Sequence, residues 1–217
     1  MAVKAGSTDK PDAPTRRRYR SPLRAQRAEQ TRAALVEGAT RLFTTKGWAA
    51  TGMRDIAKEA GVATETLYTH FSSKPSLLQA VVDVAVVGDD APLAVAERPE
   101  FAAMGTGSRR SRLAAAAQLV TAIHGRTAAF AKLLREAAPS DESMAEALRS
   151  TRERQRLDVE AGAHLIMGRK PTATERDGLW ALLSAEVYTL LVEESGWSPE
   201  QYEKWVEHTL ERVVPRS

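Results

Sequence analysis

The sequence predicts an all-α protein, and three observations carry that prediction. From Arg24 onward, apolar residues recur three and four positions apart, the spacing that puts them on one face of a helix. No stretch alternates with period two for long enough to make a convincing strand. Glycine, proline and hydroxyl residues fall where such helices would start and stop. With 217 residues and 43% hydrophobic composition, the chain fits a small domain followed by a larger one, about nine helices together.

The first helix is marked by Leu35, Val36, Ala39, Leu42 and Phe43, and Gly47 can end it in a left-handed cap. Met53, Ile56, Ala57 and Ala60 form the apolar face of a second, short helix, broken at Gly61 and Val62. A third runs from about Thr64 to Phe71, with Leu67 and Phe71 inward. Ser73 is placed to cap a fourth helix through Leu77, Leu78, Val81, Val82 and Val86. Three glycines and two prolines in residues 88–108 predict a loop. Further helices are expected at about 108–122, 124–138, 141–168, 173–195 and 199–214. The domain division that follows is a basic, disordered arm over 1–23, a small domain over 24–72, a connecting helix over 73–88 and a larger domain over 89–217.

Composition narrows the chemistry. There is no cysteine, so disulfides, thiolate metal sites and cysteine nucleophiles are excluded. His70, His124, His164 and His208 are not spaced as metal ligands, and no phosphate-binding glycine loop or nucleophile elbow is present. No metal, cofactor or enzymatic activity is therefore expected. The absence of a membrane-length apolar run or an apolar signal core predicts a cytoplasmic protein with no membrane partner. The net charge of +3 conceals an asymmetry: residues 1–32 hold nine Lys and Arg against three Asp and Glu. Arg16, Arg17, Arg18, Arg20, Arg24 and Arg27 suit either a solvated tail or an arm that neutralises phosphates.

Two short helices joined by a glycine turn, with a longer helix ahead of them, make a helix-turn-helix pattern. A major groove about 12 Å wide admits one such helix if its apolar side is held from behind. Ile56, Ala57, Val62, Leu67 and Phe71 supply that packing, while Thr64, Thr66, Tyr68 and Thr69 leave hydroxyls on outer faces. A plain helical hairpin would explain the apolar periodicity but not those hydroxyls.

Residues 35–78 resemble the N-terminal domain of the TetR family of transcriptional regulators. The resemblance rests on the aromatic in Arg41-Leu42-Phe43, on Lys46-Gly47-Trp48, on the Thr51-to-Ala57 opening, on Ala60-Gly61-Val62, and on Leu67-to-Phe71 followed by Ser73-Lys74. Leu179 to Leu191, and Gly196 to Pro199 before Tyr202 and Trp205, resemble one of that family's ligand-binding domain types. The resemblance implies a homodimer on an inverted-repeat operator in double-stranded DNA, usually a repressor, released by a small-molecule effector. A helical scaffold that keeps the motif for packing is the alternative. By position, Thr51 and Arg54 would meet phosphates, Ala63, Thr64, Thr66 and Leu67 would lie near bases, and Tyr68, His70 and Lys74 would hold the backbone. Two departures stand out. Ala63 occupies the usual capping position, and Pro75 and Ser76 replace an acidic pair, leaving no Glu for a capping box.

In the larger domain, Leu179, Leu182, Leu183, Val187 and Leu190 project to one side of a helix, and Ala181, Ala185, Tyr188 and Val192 roughly to the other. The first side is expected to face the domain core, and the second, Ala-rich side a second subunit. The last helix carries a stripe with Tyr202, Trp205 and Leu210, opened by Ser198, Pro199 and Gln201. The two helices would pair with their symmetry mates as a four-helix bundle, through Ala181, Ala185, Tyr188, Val192, Trp205 and Leu210. Candidate effector contacts are His124, Phe130, Met144, Met167, Trp180 and Glu186, of which Glu186 interrupts the leucine stripe and must find a partner. Trp180, Phe130, Met144 and Met167 are residue types that more often pack a core than line a pocket. Acidic groups around them outnumber clustered basic ones, which favours an apolar or amphipathic ligand. Arg149, Arg152, Arg154 and Arg156 read as a salt-bridged surface.

Overall fold

The computed structural model describes residues 22–88 and 95–215, and the basic segment expected to form an arm lies almost wholly outside them. The described chain is all-α. Helix α1 (Pro22–Lys46) packs against α2 (Met53–Glu59) and α4 (Lys74–Val87), with α3 (Thr64–His70) following α2 after a short turn. Then come a single turn, α5 (Pro99–Ala102), the long α6 (Arg109–Ala137) and α7 (Glu142–Met167), α8 (Ala173–Leu182), the one-turn α9 (Ala185–Tyr188) and α10 (Pro199–Val213). Helix α6 is the spine of the larger part: α4, α7, α9 and α10 all pack on it.

Three differences from the sequence expectation have physical causes. The two helices expected over 108–138 are one, because nothing between them removes a backbone donor. Gly125 sits inside that helix, where glycine costs about 1 kcal/mol relative to alanine. A Cβ there would lie 3.6 Å from the Tyr188 hydroxyl, an ordinary contact, so the helix would also accept alanine at this position. Within the expected 88–108 loop, Pro99 starts α5, and Phe101 and Met104 are buried; Met104 packs where Gly162 of α7 has no side chain.

The helix expected over 173–195 breaks at Leu183. Ser184 caps a new start by accepting a hydrogen bond from Val187 N, and Thr189–Glu194 continues as a wider π-helical turn. The break resets the faces. Ala185 and Tyr188 are buried inside the subunit, while Leu190 is 53% exposed. An unbroken 100° progression assigns these residues the opposite way.

Two buried clusters result. The first joins Leu35, Phe43, Ile56, Leu67 and Leu78 to Phe130 and Met144 of the long helices, so the small domain is built onto α6 and α7. The second centres on Leu113, Ala117, Tyr188, Tyr202, Val206 and Leu210. Among the described residues six helices carry a side-chain N-cap hydrogen bond, from Ser73, Ser108, Asp141, Thr172, Ser184 and Ser198. At Ser73 the missing Glu is made good by Ser76, whose hydroxyl accepts from Ser73 N at 3.2 Å while Ser73 Oγ accepts from Ser76 N at 3.2 Å.

Candidate nucleic-acid interface and effector cavity

The helix-turn-helix is assembled around residues with no solvent exposure. Ile56 and Leu67, each 0% exposed, hold α2 and α3 against α1, and Gly61 at φ +69° makes the turn between them. Val62 N reaches back to Ala57 O at 2.9 Å, which fixes the angle at which α3 leaves. Gly52 N donates to Asp55 Oδ2 at 3.1 Å at the start of α2. Arg41 on α1 bonds Glu59 at the end of α2 at 2.9 Å.

The structure places the proposed DNA contacts unequally. Arg54, Ala63 and Tyr68 are exposed, and Thr64, Thr66 and His70 are half-buried. Ala63 is the N-cap of α3 and makes no side-chain cap bond, as its missing hydroxyl requires. Thr51 corrects the phosphate assignment: it is 2% exposed, and its hydroxyl donates to Gly47 O at 2.8 Å, pinning the turn before α2. Leu67 is a packing residue and does not reach the outer face. Lys74 is also engaged: its ammonium donates to the Trp48 carbonyl and lies 3.9 Å from that indole ring's centroid.

Trp48 and Asp141 form a link the sequence did not announce. Trp48 Nε1 donates to Asp141 Oδ2 at 3.0 Å, while Asp141 Oδ1 caps α7 by accepting from Ser143 N at 3.0 Å. One carboxylate thus ties the small domain to the start of α7. The hydrogen bonds from Ser143 and Trp48 hold its pKa below the usual value. Ninety-three residues separate the pair, so no local pattern signals it.

A cavity of about 1130 Å³ opens between the two parts of the molecule. Its walls come from the first half of α1, from α4, and from α6, α7, α8 and α10. Of the expected effector contacts, His124, Phe130 and Trp180 line it. Met144 and Met167 do not; they fill the two cores instead. Glu186 is also elsewhere, bridged to Arg135 and Arg152 at 3.0 Å each, and so joins α9 to α6 and α7. Burial opposes ionisation of Glu186, but the hydrogen bonds from Arg135 and Arg152 outweigh it and lower the pKa. Arg149, Arg154 and Arg156 likewise have carboxylate partners in Glu142 and Glu146, Asp83, and Asp177.

Asp158 is one of the lining residues outside the effector set expected from the sequence, along with Glu29, Arg32 and Asp83. It shares a face of α7 with buried Thr151 and Gly162, at i+7 and i+11, and a lone carboxylate in that stripe was the available signal. Burial raises its pKa, with Arg154 opposing. His124 is 5% exposed; its Nε2–H donates at 3.0 Å to the Leu183 carbonyl at the break between α8 and α9. Its other ring nitrogen, Nδ1, is buried and has no hydrogen-bond partner among the described residues.

Burial lowers the His124 pKa below 6.5, with the Leu183 bond and Glu186 opposing. The folded state therefore holds this ring neutral at a pH where the unfolded chain begins to protonate it. Stability contributed in this way is present above about pH 6.5 and falls as the pH drops below it, by at most about 1.4 kcal/mol per pH unit. Urea unfolding between pH 7.5 and 5 is expected to show this loss, and His124→Phe to flatten that part of the profile. An equal slope in the variant would assign the pH dependence to other groups.

The proposed dimer residues divide as well. Ala181 is exposed and Val192 and Trp205 are half-buried, whereas Ala185, Tyr188 and Leu210 are buried within the subunit. Tyr188 meets Tyr202 edge-on at 4.9 Å and lies 5.8 Å from His124, ring centre to ring centre. These three are therefore corrected from a subunit surface to the domain core. Among the described residues no helix is long and apolar enough to cross a membrane, and no group of three or more His, Asp or Glu is placed to hold a metal.

A short apolar-backed helix with an exposed polar face, offered beside a two-helix turn, defines a helix-turn-helix protein of the nucleic-acid-binding type. Residues 35–81 match the family model described as bacterial regulatory proteins, tetR family. The HTH-type transcriptional regulator TtgR of Pseudomonas putida is 43% identical over 58 residues, which are 27% of this chain and 28% of that protein. The matched part thus spans little more than a quarter of that relative. A Rhodococcus structure assigned to the TetR family aligns over 86% of this chain and 99% of its own, with a TM-score of 0.61 and 18% identity. The multidrug binding protein EbrR in complex with malachite green aligns over 85% of this chain and 98% of its own, with a TM-score of 0.57 and 19% identity. Residues 35–81 are therefore similar to the helix-turn-helix domain of that family, and the described chain as a whole has the fold seen in structures assigned to it.

Proposed function

We propose that the protein is a transcriptional repressor that binds an inverted-repeat operator as a homodimer and leaves it when a small molecule enters the cavity. One observation carries the reading: the cavity is walled on one side by α1 and α4, which share a buried cluster with Leu67 of the recognition helix α3, and on the other by α6, α7, α8 and α10. A ligand there can bias the angle between the two parts. A hundredfold loss of operator affinity requires about 2.7 kcal/mol of difference between the two states. EbrR, of similar fold, is a multidrug binding protein, which supports a ligand role for this domain.

In this reading α1 to α3 are the DNA-binding unit, α4 the link, and the remaining helices the effector and dimer unit. Arg54, Ala63, Thr64, Thr66, Tyr68 and His70 form the DNA-facing set. The subunit contact uses the outer edge of α10, where Trp205, Thr209 and Val213 follow one another at i, i+4 and i+8, together with Leu190 and Ala181. Symmetric pairing there would place two α3 helices on successive half-sites.

The test is to recover bound fragments from the source genome, define the site by footprinting, and measure affinity against salt. A palindromic site, a steep salt dependence and a dimer in sedimentation are expected. Binding without sequence preference, or no binding, would favour the scaffold alternative.

A further inference from the structure

The hydrogen-bonding demands of the cavity restrict what it accepts, and this inference rests on the effector reading above. A backbone carbonyl only accepts, so the bond to Leu183 O fixes the His124 proton on Nε2. In the neutral ring, Nδ1 is then a bare acceptor, buried and unpartnered among the described residues. A second acceptor, the Asp158 carboxylate, stands on the α7 wall. Five charged side chains line the cavity: Glu29, Asp83 and Asp158 against Arg32 and Arg154. Arg154 is shared, lying 3.7 Å from Asp83 while also acting on Asp158. One guanidinium serves two carboxylates, so this wall keeps an excess negative charge. Among the described residues that line the cavity, Trp180 Nε1–H is the other buried group without a partner, but Trp180 also borders the outer groove over α7 and does not discriminate. Gln30, Thr127, Thr151 and Gln155 add neutral polar groups, and most of the remaining lining is aliphatic and aromatic, from residues such as Val120, Ile123, Phe130 and Ile166.

We propose that the cavity is selective for a hydrophobic amine, whose ammonium group is held by Asp158 and whose N–H donors satisfy the buried acceptors, His124 Nδ1 included. A carboxylate of the same shape would meet Asp158 with like charge and bring no donor to His124. An alcohol would supply a donor but no charge. The ranking expected for one hydrocarbon body is amine, then alcohol, then carboxylate.

The experiment uses the full chain with three matched probes: diphenylpropylamine, diphenylpropanol and diphenylpropanoate. Affinity is read by calorimetry and operator release by fluorescence anisotropy. The amine is expected to bind about tenfold or more tightly than the alcohol, the step a charged hydrogen bond supplies. Asp158→Asn, which keeps shape, is expected to remove the gap between amine and alcohol. His124→Phe is expected to weaken both by a similar factor and leave their order unchanged. Near-ultraviolet circular dichroism checks that each variant keeps its packing. The proposal is overturned if the carboxylate binds as tightly as the amine, if Asp158→Asn leaves the amine preference intact, or if no probe binds. Operator release by an uncharged or anionic molecule would retain the effector reading while removing this selectivity. DNA binding that no ligand in a broad panel alters would remove the effector reading itself.

Discussion

Ala185→Arg is expected to unfold the larger domain and not merely to separate two folded subunits. Ala185 is 2% exposed, on α9 where that helix packs on the α6 spine, and the neighbouring Tyr188 is locked against Tyr202. A guanidinium there is too large for the site and leaves a charge in apolar surroundings. Overpacking costs about 1 to 3 kcal/mol and an uncompensated buried charge about 3 to 5. Together these approach the whole stability of an ordinary domain. A lost cooperative melt and reduced near-ultraviolet circular dichroism are the expected readings. Ala181→Arg supplies the comparison, because Ala181 is exposed on α8. That variant is expected to melt like the wild type and, if the outer edge of α8 and α10 joins two subunits, to sediment as a monomer. A natively folded Ala185→Arg monomer would return Ala185 to the subunit surface.

Adjacent residues on the recognition helix are expected to fail in different ways. Leu67→Ala empties a site with 0% exposure between α1, α2 and α3, and should cost about 2 to 5 kcal/mol of stability, with DNA binding lost because α3 is no longer held. Tyr68 is 52% exposed, so Tyr68→Ala should leave the unfolding free energy within about 0.5 kcal/mol of the wild type. Its operator affinity should fall by about 1 to 3 kcal/mol, and by a similar factor across operator variants if the hydroxyl meets phosphate. Urea denaturation and fluorescence anisotropy on both variants separate the two effects. Unchanged affinity for Tyr68→Ala with an intact fold would remove this residue from the DNA face.

Much of the small domain was legible before any coordinates because its determinants are local. Ile56, Leu67 and Phe71 repeat at helical spacing, Gly61 takes the left-handed turn, and Ser73 caps α4, all within a few residues of what they control. Where the local argument went astray, a side chain had two possible duties. The Thr51 hydroxyl could meet a phosphate or its own turn, and Gly47 O, 2.8 Å away, takes it. Lys74 could reach DNA or the Trp48 ring, and the folded chain occupies it internally.

By itself the sequence determined the helix class, the order of the helix-turn-helix and most caps, since periodicity and capping depend on neighbours three or four positions away. The tertiary structure alone decided which way α9 faces, where Glu186 and Asp158 lie, and that Trp48 ties to Asp141. Each of these turns on one backbone irregularity or on residues far apart in sequence. The break at Leu183 is the clearest case: it moves Ala185 and Tyr188 inward, Leu190 outward, and presents the carbonyl that orients His124. A period of 3.6 residues carries no information past such a break, because the azimuth restarts with the new helix and is set by what packs against it.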